Sequence, residues 1–254
     1  MKKFLFPVIV TFLLSAMPFG NAANLPGMPP LLDSNNVYAA NTPNNFSDTV
    51  KGYPALVYVP NTQSNTVQVY DQKTYKLLRT VKVAREPQHV VPSYDLKTLY
   101  ANSDLGNSLM PFDAKTGKPG KRIPLLDPYN LYFTPNGKYA VVMQERMEQI
   151  AFADPHTFKI KKTLKTKCAG VNHADWTADG NIFIASCEFS GTIIAVDTAK
   201  MKIINEQFIP DTYAKHSAST HAGLPNLGPQ PQDVKLSPDG KTFYIADMMS
   251  DGIW

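Results

Sequence analysis

From Ala55 onward the chain is a succession of short runs rich in β-branched and aromatic residues, punctuated by polar turns. Leu56–Pro60, Thr66–Tyr70 and Lys76–Val83 read as three strands, with Asn61–Asn65 as the turn joining the first two. Gln88–Val91 opens a second unit, and Leu99–Ala101, Leu109–Phe112 and Lys121–Ile123 repeat the order. The series restarts at Asn130 and again at His173. No stretch shows an amphipathic helical period of useful length.

The repeat has a ruler. The third strand closes on Asp71, Asp113, Asp154 and Asp197, which are 42, 41 and 43 residues apart. Turn markers keep the same beat at Leu96-Lys97, Asn136-Gly137, Asp179-Gly180 and Asp239-Gly240. About forty residues with four strand patterns per period predict stacked sheets around an axis, an all-β propeller of four-stranded antiparallel blades. Asp71, Asp113 and Asp154 each have a Thr three residues on. Their expected work is structural: a short carboxylate accepting backbone N–H groups of its own turn.

The beat breaks twice. From Gly180 to Gly240 is 60 residues, so an insertion of about 18 is expected at 209–229. The fifth copy stops at Trp254, inside its third strand, and the first blade lacks an inner strand of its own. An open propeller leaves strand edges unpaired, so the expectation is an arc of about 4–5 blades from a longer propeller.

Before Ala55 the pattern is different. Lys2 and Lys3 precede an apolar run from Phe4 to Met17, and Gly20-Asn21-Ala22 offers small residues at a cleavage site. Residues 1–22 are predicted to be a secretory signal peptide cut after Ala22, with the mature protein periplasmic or secreted. No later stretch is apolar enough to cross a bilayer. Residues 23–54 are rich in Asn, Pro and Ser and are expected to be a flexible lead-in. Without the two leader lysines, 23 basic residues face 21 acidic ones, a balance with no specific nucleic-acid signal. Lys159, Lys161, Lys162, Lys165 and Lys167 read as a solvated outer strand guarding an edge.

Export places Cys168 and Cys187 where disulfides persist. Folding the hairpin about Asp179-Gly180 sets position 187 opposite about 172, so both sulfurs fall at one end of one blade and a structural disulfide is expected.

Candidate chemistry lies where the strands begin. The loops entering inner strands share a face with the loops between second and third strands. His89, Asn130, His173 and Asp233 occupy equivalent rim positions there, joined by Glu145 and Glu188. The insertion would bring His216 and His221 to the same face, while His156 sits on a turn elsewhere. Imidazoles in such a group can bond backbone, ligate copper, iron or haem, or move protons. The default expectation is no cofactor, with His89, His173, His216 and His221 as the ligands if a metal is held. No Gly-x-Ser-x-Gly elbow, phosphate loop or His-Glu-x-x-His motif occurs.

Val57-Tyr58-Val59-Pro60-Asn61, Leu99-Tyr100-Ala101-Asn102 and Phe243-Tyr244-Ile245-Ala246-Asp247 resemble the Tyr-Val-Thr-Asn element of the YVTN propeller repeats. Ser237-Pro238-Asp239-Gly240-Lys241 and Thr134-Pro135-Asn136-Gly137-Lys138 are similar to that family's Ser-Pro-Asp-Gly-Lys turn. The resemblance covers 55–254 and implies a seven-bladed whole. It brings three functional expectations, because related propellers include binding proteins, the haem propeller of cytochrome cd nitrite reductases, and lactonases. The first is an exported binding protein for a partner protein, polymer or small ligand. The second is a metal- or haem-dependent oxidoreductase or maturation protein. The third is a lactonase-like hydrolase, which would need an acid–base pair such as His173 and Glu188.

Overall fold

The computed structural model describes residues 31–33, 35–210, 228–249 and 252–254. Five antiparallel sheets follow one another along the chain. The first holds β1 (Leu56–Asn61), β2 (Thr66–Asp71) and β3 (Leu77–Lys82). The second holds β4 (Pro87–Pro92), β5 (Thr98–Ser103), β6 (Ser108–Asp113) and the short β7 (Ile123–Pro124). The third holds β8 (Asn130–Phe133), β9 (Ala140–Gln144), β10 (Gln149–Ala153) and β11 (Ile160–Lys165). The fourth holds β12 (Val171–Trp176), β13 (Ile182–Cys187), β14 (Thr192–Asp197) and β15 (Lys202–Phe208). The fifth holds β16 (Pro231–Leu236), β17 (Phe243–Asp247) and β18 (Gly252–Ile253). Strands meet in chain order within each sheet, the up-and-down order of a propeller blade.

The core consists of four apolar layers, each sandwiched between successive sheets. Val67, Val90 and Phe112 lie between the first and second, and Tyr100, Leu131 and Val142 between the second and third. Phe152, Phe183, Ile194 and Val196 lie between the third and fourth, and Ile193, Val234 and Ile245 join the fourth to the fifth. A sheet covered on both faces has no polar side to show. Hence β9, in the third sheet, is buried at every position, whereas β11 on the outside is exposed at five of six. Among the strand aromatics, Phe183 packs on Phe152 and Trp176, but Tyr244 stays 52 % exposed. Its strand is in the fifth sheet, where no sixth sheet covers it among the described residues.

The closing aspartates lie at the third-to-fourth-strand turns. Thr74 N–H and Oγ1–H donate to Asp71 Oδ1 at 2.7 and 2.8 Å. Thr116 repeats the pair on Asp113 at 2.6 and 2.7 Å, and Thr157 on Asp154 at 2.8 and 2.9 Å. In the fourth copy Lys200 donates to Asp197 from its backbone N–H and its ammonium. These donors hold the Asp71, Asp113, Asp154 and Asp197 carboxyls below the usual range.

Of the segment expected to be a flexible lead-in, residues 35–54 run mostly in turns. Val37 N–H donates to Pro238 O at 2.9 Å and Tyr38 Oη–H to Leu236 O at 2.9 Å, which ties this segment to the fifth sheet.

Candidate functional site

Each inner strand opens on a related tripeptide: Pro87-Gln88-His89, Pro128-Tyr129-Asn130, Val171-Asn172-His173 and Pro231-Gln232-Asp233. The pairing of β4, β12 and β16 with their neighbours slips register at this opening. A bulge there bends the strand and re-aims its side chains, a device common beside functional sites. The four inner-strand positions singled out in the sequence are brought together. His89 Nδ1 is 2.9 Å from Tyr129 O, a carbonyl that only accepts, so Nδ1 carries the proton and Nε2 keeps its lone pair. His173 Nδ1 is 3.2 Å from Asp233 Oδ1 and 3.4 Å from Asn130 Nδ2. The His89 and His173 rings stand 5.4 Å apart, with Tyr129 5.3 Å from the first and 6.1 Å from the second.

Burial disfavours the charged imidazolium. It lowers His89, and it takes His173 down to about 4 even though the Asp233 carboxylate pulls the other way. Both rings are therefore neutral near pH 7.

A second layer comes from the residue just past each second strand. Asp104, Glu145 and Glu188 hold this equivalent place in three successive blades, and all three are buried. Asn172 Nδ2 donates to Glu188 Oε2 at 2.8 Å and reaches Glu145 Oε1 at 3.5 Å. Its Oδ1 accepts from Ser186 Oγ and from His173 N–H, both at 2.8 Å, so Asn172 couples the carboxyl layer to the imidazole layer. Arg146 Nε donates to Asp127 Oδ1 at 3.0 Å and Asp104 Oδ1 at 3.2 Å, clamping the second blade to the third. Burial, then the Glu188 and Asp104 charges, pushes Glu145 up to about 8. Burial also raises Glu188, and takes Asp127 up to about 7 against the pull of Arg146. Tyr129 is raised by burial and by the carboxylates around it.

Cys168 and Cys187 are joined in a disulfide with Cα atoms 5.9 Å apart, and Val171 stands opposite Cys187 in the ladder. The bond sits beside a 3₁₀ turn, Glu188–Ser190. Glu188 N–H donates to Gly170 O at 3.0 Å and Phe189 N–H to Ala169 O at 3.2 Å. Gly170 has φ +79°, and a Cβ there would lie 2.7 Å from the Phe189 ring. This corner therefore requires glycine, and it fixes where the Glu188 carboxyl points.

His216 and His221 lie outside the described residues, as does most of the insertion. His156 is on the opposite face, in a cleft with Tyr94 and Gly137. The pair needed for a hydrolase is not in mutual contact: His173 faces Asp233, and Glu188 is held by Asn172. Among the described residues no group of three or more His, Cys, Asp or Glu is arranged to hold a metal ion. Tyr129, Asn172, Asp104, Asp127 and Arg146 were missed in the sequence. For Asp104 the signal was present, because it holds the same place as Glu145 and Glu188.

A family profile described as YNCE-like beta-propeller matches residues 34–207. Among solved structures, hydrazine synthase of Kuenenia stuttgartiensis superposes with a TM-score of 0.62 at 19 % identity, over 76 % of this chain and 52 % of that one. A chain of the mitotic checkpoint complex superposes with a TM-score of 0.57 at 14 % identity, over 76 % of this chain and 54 % of that one. The chain thus spans about half the length of these structures, and at such identities the likeness is one of fold. No curated protein sequence matches it. The profile spans more than half of the sequence, and it carries the same repeat that the strand pattern and the five sheets display: the chain belongs to the YNCE-like β-propeller family.

Proposed function

We propose that the protein is an exported binding propeller whose ligand site is the channel mouth formed by His89, Tyr129, Asn130, His173 and Asp233. One observation carries this reading: four consecutive blades deliver their inner-strand openings to one place, and the side chains there engage one another across blades. Packing alone needs apolar residues at such positions, as it has them elsewhere in these strands. The mouth instead offers neutral imidazoles and a carboxylate, groups that orient a bound molecule. The partner is a protein, polymer or small ligand carrying hydrogen-bond donors, which the His89 Nε2 lone pair and the Asp233 carboxylate would accept. Export rests on the leader pattern of residues 1–22 and is in keeping with the Cys168–Cys187 bond.

A thermal-shift screen of the purified protein against sugars, amines and short peptides tests the reading. A true ligand raises the melting temperature of the wild type, and His173→Ala or Asp233→Asn abolishes that rise. Ligands that stabilise both variants as well as the wild type would place the site elsewhere. N-terminal sequencing of secreted or periplasmic material tests export, with Ala23 as the expected first residue.

A further inference from the structure

We propose that His89 and His173 together form a site for one divalent transition-metal ion, copper(II) foremost, bound through the Nε2 atom of each ring. The argument begins with the other nitrogen. A metal-ligating histidine usually donates its second ring N–H to a carbonyl or carboxylate, which fixes both tautomer and ring orientation. Both variants of that arrangement are present side by side. His89 Nδ1–H donates to the Tyr129 carbonyl at 2.9 Å, and His173 Nδ1 faces the Asp233 carboxylate at 3.2 Å. The Asn130 amide, 3.4 Å from the same His173 nitrogen, is the weaker contact and already donates to Tyr132 Oη at 2.9 Å.

Ring spacing agrees. Two imidazoles bound to one ion at about 2.0–2.1 Å each, near a tetrahedral angle, have ring centres about 5 Å apart. The rings here are 5.4 Å apart. The side chains come from the second and fourth blades, so the scaffold and not a local motif sets their distance. Because no third protein ligand is arranged among the described residues, water or a donor atom of the bound molecule completes the shell. Imidazole suits copper, nickel and zinc, and copper(II) binds most tightly in that series.

This goes beyond the binding reading above, and a protein that takes no metal leaves that reading standing. The test is equilibrium dialysis of the purified full-length protein with copper(II) chloride against a weak amino-acid competitor. One equivalent is expected to bind, and His89→Ala and His173→Ala are each expected to weaken it at least about tenfold. Asp233→Asn, which touches no metal, is expected to weaken it about tenfold or more through His173 alone. Electron paramagnetic resonance of the copper-loaded wild type reads the number of bound imidazole nitrogens without any substitution, and two are expected. No binding by the wild type overturns the site. So does binding that persists undiminished in both histidine variants, or a spectrum with fewer than two imidazole nitrogens.

Discussion

Two groups of this face, buried Glu145 and partly buried His173, have their titrations displaced in opposite directions, and the consequence can be measured. Glu145 titrates near 4.5 in an unfolded chain and at about 8 in the folded one. The folded state therefore holds the extra proton between those values, and stability falls as pH rises through that window. His173 titrates near 6.5 unfolded and at about 4 folded, so the unfolded state holds the extra proton there, and stability rises with pH through that range. The two slopes oppose each other at mildly acidic pH, and above about 6.5 the carboxyl dominates. Glu145→Gln, which mimics the protonated acid, is expected to melt several degrees above the wild type at pH 8. That gap should close toward pH 5, and a gap independent of pH would refute the buried-acid assignment. The imidazoles of this site were legible in the sequence, because counting from turn markers locates the start of every inner strand. The clamp of Arg146 on Asp104 and Asp127 was not. It joins residues 42 and 19 positions apart through the ends of three different loops, and only folded coordinates align those ends.

At the level of single elements, one position is solved differently in each blade. The last residue of the second strand braces the loop that enters the inner strand. Gln144 Nε2–H donates to Leu126 O, and Asp247 Oδ1 accepts from Gln230 N–H at 2.9 Å. Cys187 makes the same tie covalently to Cys168, while Ser103, too short, has a buried hydroxyl with no partner among the described residues. The disulfide thus replaces a hydrogen-bonded brace beside the Glu188 turn. Removing it with paired Cys→Ser substitutions should cost about 3 kcal/mol, judged by the denaturant midpoint, since it closes a loop of 19 residues. A second element-scale prediction concerns the outer turns. The residue four past each closing aspartate has positive φ, and it is Gly117 in one copy but Tyr75, Phe158 and Met201 in the others. Tyr75 is 80 % exposed, so little packing opposes its replacement. Tyr75→Gly should raise stability by up to about 1 kcal/mol, and a loss would mean that the ring contributes more than its strain.

Across the whole molecule, the apolar layers between sheets account for the fold, and the repeat made that fold readable because every copy repeats the same succession of strands and turns. What that succession cannot encode is which polar residues meet over the axis, because each blade contributes only one or two of them. The binding site proposed above lies in the inner-strand openings, where four blades differ from one another while their turns agree. The claim that His89 and His173 form one preorganised site rests on their protonation pattern. Long-range proton–nitrogen correlation of the imidazole rings observes it directly, with each ring assigned from its His→Gln variant. Both rings should be neutral at pH 7 and carry the proton on Nδ1, and both should titrate below the ordinary histidine range. Rings that carry the proton on Nε2, or that titrate like free histidine, would show that the two side chains are independent and that the channel mouth is not the site described.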